Sequence, residues 1–144
     1  MPNIINLEII RKTIQKKNDL FITKDLQEFL QIPSYSLNSK GIEQAKKFII
    51  NYISEFCEEI NIFEYKINPT IFAEVKGNRS EKILIYMMYD TQPINKEKDW
   101  ISLPFAAKIS KLNPPLDILG DCIITRGAYN SKTPLMTFLN VVKE

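Results

Sequence analysis

The longest uninterrupted apolar run in the chain is Ile83–Tyr89, within the stretch ILIYMMYDTQP. An apolar run of this length that ends in turn residues predicts a strand covered on both faces, as at the centre of an α/β sheet. It is far shorter than the roughly 18 residues that a membrane-spanning helix needs. Because Asp90 and a Thr-Gln-Pro turn follow directly, the sequence predicts an acidic loop at the carboxyl end of a central strand.

Two helices are predicted ahead of this strand. Apolar residues have helical spacing over residues 4–30, with a bend or break expected at NDLF (18–21). The segment Ile42–Phe56 carries apolar residues at steps of three and four, which form a single stripe typical of core packing. Asn38 or Ser39 is in position to cap this second helix.

The remaining patterns predict strands and a final helix. Residues 60–67 and 70–76 read as a hairpin around an Asn-Pro turn, and residues 91–118 look irregular. A short strand over 122–125 precedes a helix that Ser131 can cap. This order predicts an α/β fold in which helices pack on a mixed β-sheet.

Composition and charge narrow the classes of function. A chain of 144 residues is long enough for one domain with its own core, and we predict a single domain over 1–144. The net charge of +2, with scattered lysines, predicts neither a nucleic-acid nor a membrane partner. The N-terminus lacks the pattern of a signal peptide, so a cytoplasmic location is expected. Cys57 and Cys122 cannot form a zinc site by themselves and are predicted to be reduced core thiols.

Two loops are candidates for chemistry, because sites in α/β sheets form at the carboxyl ends of central strands. They are MMYDTQP and RGAYNSK, and neighbouring strands would bring Asp90 and Asn130 together at one rim. Taken alone, Asp90 is an ordinary loop cap, and Arg126 and Lys132 are surface charges near a helix start.

Four motifs, in order from about Leu26 to the end, resemble the N-terminal part of the zinc-dependent aminoacylase and carnosine-dipeptidase family. This family also includes acetylornithine deacetylase and succinyl-diaminopimelate desuccinylase. LQEFLQIPSYS resembles the first helix and its exit, and LIYMMYDTQP resembles a strand that reads L-x-Y-G-H-Y-D-V-Q-P. Trp100, Pro104 and Phe105 match W-x-x-x-P-F, and TRGAYNSKTPL resembles G-R-G-x-x-D-x-K-G-P-L. The resemblance implies an incomplete version of the zinc-exopeptidase catalytic domain.

The departures from the family pattern fall on the metal ligands. Met88 stands where the family has a zinc-binding histidine, and Asn130 stands where it has the aspartate that bridges two zinc ions. Asp90 matches the carboxylate that supports the absent histidine, so it is the candidate catalytic residue. A thioether is a poor zinc donor, and a neutral amide cannot hold two dications close together. With no histidine in the chain, we predict no bound zinc, no other cofactor and no hydrolysis by the chain alone.

Three interpretations remain open at the level of sequence. The first is a catalytically inactive segment from a dipeptidase-like lineage, and the second is a non-catalytic module that binds proteins or peptides. In the third, a partner chain donates the missing ligands. Because the family's domain is longer, we also expect an uncovered sheet edge that permits self-association or binding of a partner chain. Trp100 and Phe105 are predicted to anchor a loop on the sheet rather than to contact a substrate.

Overall fold

The computed structural model of the chain describes residues 7–66 and 68–144. The helices, in chain order, are α1 (Leu7–Leu20), α2 (Gln27–Gln31), α3 (Ser39–Ile53) and α4 (Lys132–Lys143). The strands are β1 (Glu59–Phe63), β2 (Thr70–Glu74), β3 (Ile109–Lys111) and β4 (Asp121–Ile123). Short 3₁₀ turns occupy Glu97–Asp99 and Leu116–Leu119. Residues 4–6 of the first predicted helix and position 67 of the predicted hairpin lie outside the described residues.

The predicted bend in the first helix takes the form of a wider helical turn. A π-helical segment, Phe21–Leu26, joins α1 to α2 without a break. α2 ends at Gln31, and the backbone of the next residue, Ile32, is extended with φ −74° and ψ 121°. Ile32 is followed by Pro33, which disfavours helical backbone at the residue before it.

α3 begins where the sequence predicts, and Asn38 rather than Ser39 is its cap. The Asn38 side chain accepts a hydrogen bond from the Gly41 amide at 3.1 Å. The apolar stripe of α3 faces the core, where the Phe48 ring stacks on that of Phe29 with centroids 5.1 Å apart. The buried core combines residues of the first helical segment, α3 and α4: Phe21, Leu26, Phe29, Leu30, Ala45, Ile49, Tyr52, Ile53, Leu135 and Met136, with Ala107 from a loop.

The described strands form two separate two-stranded antiparallel sheets. β1 pairs with β2, with Glu59 opposite Glu74 and Phe63 opposite Thr70, which confirms the predicted hairpin in a shorter form. β3 pairs with β4. The sequence predicts β4 approximately but misses β3, because a strand of three residues is too short to show an alternating pattern.

The predicted central strand over Ile83–Tyr89 is wrong for the described structure. Residues 81–90 form no ladder, and the side chains of Ile83, Leu84 and Tyr86 are 86%, 83% and 83% exposed. Only the following residue, Thr91, makes a parallel bridge, with Tyr35. A strand buried on both faces needs strand neighbours and covering helices. The described elements supply neither along 83–86.

Two further sequence expectations concern cysteines and membrane spans. Cys57 and Cys122 are free thiols, as predicted, and both are partly buried. Cys57 packs against the core, and burial raises the pKa of its thiol. Within residues 7–66 and 68–144, no helix is long and apolar enough to cross a membrane.

Candidate functional site

Residues 89–91, at the end of the apolar run, are held by the turn that follows α2. The Ser34 hydroxyl donates to the Tyr89 carbonyl at 2.9 Å. The Ser34 carbonyl accepts from the Thr91 amide at 2.9 Å, and the Ser36 amide donates to the Thr91 carbonyl at 3.1 Å. Tyr89 also donates its hydroxyl to the Pro69 carbonyl at 2.7 Å. The loop that carries Asp90 is therefore fixed on both sides.

Asp90 makes contacts to two other parts of the chain. Its carboxylate oxygen Oδ2 accepts from the Asn68 side-chain amide at 2.9 Å. Its backbone carbonyl accepts from the Ser131 hydroxyl. The two candidate loops, residues 88–93 and 126–132, therefore meet, and we call this junction the rim. Ser131 occupies the N-cap position of α4, but its side chain makes no capping bond, because the hydroxyl is used to join the loops.

Met88 and Asn130 lie on these two adjoining loops. The Met88 side chain is 45% exposed, and Asn130 is exposed. The peptide bond between Asn130 and Ser131 is cis. The roles assigned to Met88, Asp90 and Asn130 by the family resemblance stay predictions.

Lys132 is not the surface charge that the sequence suggests. Its side chain is 0% exposed, and the ammonium donates to the Phe29 carbonyl at 2.9 Å and to the Ile32 carbonyl. It also lies 4.7 Å from the centroid of the Phe29 ring. Burial lowers the pKa of Lys132 to about 7. The same two carbonyls accept from the backbone amides of Ile32 and Ser34, so the buried cation adds a second donor to each.

Arg126 and Gly127 add to the junction between the loops. The guanidinium of Arg126 donates to the carbonyls of Gln92 and Pro93 at 3.1 and 3.5 Å. Gly127 has φ of 88°, and a Cβ built on it would lie 3.0 Å from Cδ of Lys132 and 3.1 Å from Cγ2 of Thr91. Glycine is therefore required here both by backbone conformation and by close packing.

The aromatic residues of the W-x-x-x-P-F motif behave differently from each other. Phe105 stacks on Tyr35 with ring centroids 6.1 Å apart, and its centroid is 5.9 Å from the Lys132 ammonium. It anchors its loop as predicted, but on Tyr35 rather than on a sheet. Trp100 is partly buried.

The described residues at this rim do not by themselves make up the donor set of a dinuclear zinc centre. Within the part of the chain that the structure describes, no three His, Cys, Asp or Glu side chains lie together as a metal site requires. Two buried oxygens in the Asp90 region, Oδ1 of Asn68 and Oγ1 of Thr91, have no hydrogen-bond partner among the described residues. Both oxygens are neutral, and a zinc site needs charged or nitrogen donors. The contacts seen among the described residues of the rim are hydrogen bonds.

Comparisons with known proteins agree with this architecture. No family model matches the chain. It is 25% identical to the Cys-Gly metallodipeptidase dug1 of Schizosaccharomyces pombe over 154 residues, which cover 96% of this chain and 30% of the relative. The M20 family metallo-carboxypeptidase Sso-CP2 from Sulfolobus solfataricus matches with a TM-score of 0.72 and 30% identity, over 85% of this chain and 26% of that one.

A second solved structure, the di-peptidase Dug1p from Saccharomyces cerevisiae, matches in fold with a TM-score of 0.69 and 24% identity. That match covers 89% of this chain and 29% of the dipeptidase. The fold is thus a partial version of an M20-type peptidase domain. More specifically, the predicted resemblance to the zinc-dependent aminoacylase and dipeptidase family is confirmed. The chain spans about 30% of the length of the curated relative that it matches.

Proposed function

We propose that this chain is a metallopeptidase-like segment that does not hold a dinuclear zinc centre and does not hydrolyse peptides by itself. The observation that carries the proposal is the pair of substitutions at the rim, Met88 and Asn130, on loops that meet through Ser131 and Asp90. Hydrolytic zinc must lower the pKa of a bound water to about 7. A thioether and a neutral amide do not supply the donors or the charge that keep zinc in place for this.

The test is zinc content and hydrolysis, measured on the chain and on a restored variant. The chain is dialysed against zinc in chelator-free buffer, and bound metal is measured by elemental analysis. Hydrolysis is assayed with the dipeptide Cys-Gly, which the name of the fission yeast relative specifies as its substrate. We expect zinc well below one ion per chain and no release of glycine. Zinc near or above one ion per chain, or turnover that a chelator abolishes, would overturn the proposal.

The double variant Met88→His/Asn130→Asp is the matched comparison. It restores the donor types at both positions, so we expect it to bind more zinc than the unaltered chain. The single variant Met88→Leu keeps an apolar side chain of similar volume and is expected to leave zinc content unchanged. A loss of zinc in Met88→Leu would show that the thioether does ligate metal.

A second candidate function is a module that binds an extended strand from a protein or peptide. The observation that favours it is the exposed apolar stretch Ile83–Tyr86, which has no strand partner among the described residues. A segment without a strand partner presents backbone donors and acceptors that another strand can use. Exposed apolar patches, such as the one at Ile83–Tyr86, also mark interaction sites. The strand would come from a second copy or from a partner chain.

Light scattering coupled to size exclusion tests this second candidate. We expect association at high concentration that the double variant Leu84→Lys/Tyr86→Lys abolishes. Ile118→Lys is the control, because Ile118 is equally exposed but lies in a 3₁₀ turn elsewhere. A monomer at all concentrations, which also fails to bind extended peptides, would remove this candidate.

A further inference from the structure

Three parts of the chain meet at the rim, and no ion pair among the described residues joins them. They are the turn that ends α2 (residues 32–36), the loop of residues 88–93, and the loop of residues 126–132. The first two are joined by Ser34, which binds the Tyr89 carbonyl through its hydroxyl and the Thr91 amide through its carbonyl. Ser34 is fully buried, so these bonds are shielded from competition by water.

The third part is joined to the first by Lys132. The ammonium reaches back across 103 positions in sequence to the Phe29 carbonyl, and it also binds the Ile32 carbonyl. These carbonyls lie at the C-terminal end of α2, where a cation is favoured by the direction of the peptide dipoles. Each also accepts from a backbone amide, Phe29 from that of Ile32 and Ile32 from that of Ser34. The same ammonium lies over the Phe29 ring and near the Phe105 ring, which adds cation–π attraction. Lys132 is therefore bound to the one turn that also holds the Asp90 loop.

We propose that Lys132 is a positioning residue: through the turn after α2, and together with Ser34 and Ser131, it sets the placement of the Asn130 loop against the Asp90 loop. In this arrangement the rim keeps its shape through protein contacts alone. Ser131 joins the Asn130 loop directly to the Asp90 loop, since its hydroxyl donates to the Asp90 carbonyl. The inference rests on these contacts and holds whether or not the rim binds zinc.

A spectroscopic test separates positioning from general stabilisation. Lys132→Met removes the ammonium and keeps an unbranched side chain of similar length. The reporters are the ¹³C-methyl signal of Met88, assigned with Met88→Leu, and hydrogen exchange at the Thr91 amide. We expect a shifted Met88 signal and exchange at Thr91 that is about tenfold faster or more, since bonds to charged groups are among the stronger ones. Exchange at the Cys57 amide, bonded to the Ile53 carbonyl in another region, reports global opening.

Lys143→Met is the matched control. Lys143 also lies over an aromatic ring, that of Tyr52 at 4.7 Å, and pairs with Glu55 at 2.6 Å, but it does not touch the rim. We expect this control to leave the Met88 signal in place and to change exchange at Thr91 and Cys57 by the same factor. If Lys132→Met behaves like Lys143→Met, Lys132 is an ordinary buried group and the proposal is wrong.

Ser131→Ala provides the second test, for the case that Lys132→Met does not fold. It deletes one hydroxyl that bonds to the Asp90 carbonyl, and its control Ser54→Ala deletes an exposed hydroxyl that bonds to the Asn51 carbonyl. A shifted Met88 signal in Ser131→Ala but not in Ser54→Ala supports a rim set by protein contacts. An unshifted signal in both would overturn the proposal, because the loops would then keep their placement without these bonds.

Discussion

Residues 83–86 and residues 89–91 belong to one continuous apolar segment and its exit, yet their surroundings are opposite. The first part forms no ladder, and its apolar side chains are largely exposed. The second part is bonded on one side to Ser34 and on the other to Ser131. The two ends of this segment therefore have separate sources of order. Loop contacts suffice to fix the end that carries Asp90, whereas the body of the segment needs neighbouring strands.

We call residues 89–91, next to Asp90 and bonded to Ser34 and Ser131, the anchored end. The largest expected effect comes from truncating Phe29, the buried aromatic residue near this end. Phe29 is fully buried, stacks on Phe48, and lies beneath the Lys132 ammonium. We expect Phe29→Ala to lower the free energy of unfolding by about 3–5 kcal/mol, because a large core side chain leaves a cavity. Urea denaturation followed by circular dichroism measures this loss.

Phe63→Ala is the control for this substitution, since Phe63 is half exposed at the end of β1. Its expected loss is below about 1 kcal/mol. Similar losses for the two variants would contradict the view that the anchored end is built on a buried core and the hairpin is not.

Adding a side chain at Gly127 is expected to strain the backbone where the two loops of the rim meet. The Gly127 φ of 88° disfavours any side chain, and an added Cβ would press against Lys132 and Thr91. We expect Gly127→Ala to cost about 1–3 kcal/mol in the free energy of unfolding. Gly77→Ala is the control, because a Cβ at Gly77 meets nothing within 4 Å; a change within about 0.5 kcal/mol is expected there. If both glycines tolerate alanine equally, the close contact between the two loops is not maintained in solution.

A pH prediction concerns the pairing of α3 with α4, the helix that carries Lys132. Tyr52 on α3 donates its hydroxyl to the Asn140 side chain at 3.1 Å, and burial raises the pKa of Tyr52 from 10.0 to about 12. The folded state holds this proton more tightly than the unfolded state does. The resulting stability is fully present below pH about 10 and is lost as pH rises through about 12.

We expect the free energy of unfolding to fall by roughly 1–2 kcal/mol over this window because of Tyr52. Urea denaturation at a series of alkaline pH values measures the slope. Tyr52→Phe has no proton to lose and should show a shallower slope. An identical slope in the variant would mean that other groups cause the alkaline loss.

Local signals in the sequence predict a large share of this fold. Asn38 as a helix cap, Pro33 at the end of a helix, and the hairpin around Pro69 each depend on residues within a few positions. The order of the predicted strands adds that the Asp90 and Asn130 loops lie together, and the structure does bring the loops into contact through Ser131.

The contacts that hold the rim cannot be predicted from residues that are close in sequence. Lys132 binds carbonyls about 100 positions away, and its own neighbourhood in sequence looks like an exposed helix start. Ser131 has the sequence signature of a cap, but its hydroxyl donates to the Asp90 carbonyl instead. The apolar run at Ile83–Tyr89 fails as a predictor for a different reason. Hydrophobicity indicates that a segment favours burial, and it does not indicate which elements are present to bury it.

The smallest expected effect lies at the exposed end of the segment, and it tests the comparison most directly. Leu84 is 83% exposed, so Leu84→Lys removes little buried surface, and we expect the free energy of unfolding to change by less than about 0.5 kcal/mol. The fluorescence of a dye that binds apolar surface should fall at the same time, because the exposed patch is interrupted by a charge. Urea denaturation and dye titration on one preparation give both values. A loss of about 2 kcal/mol or more would mean that Leu84 is buried in the folded chain. The body of the segment would then be ordered by contacts of its own, and the contrast with the anchored end at Asp90 would disappear.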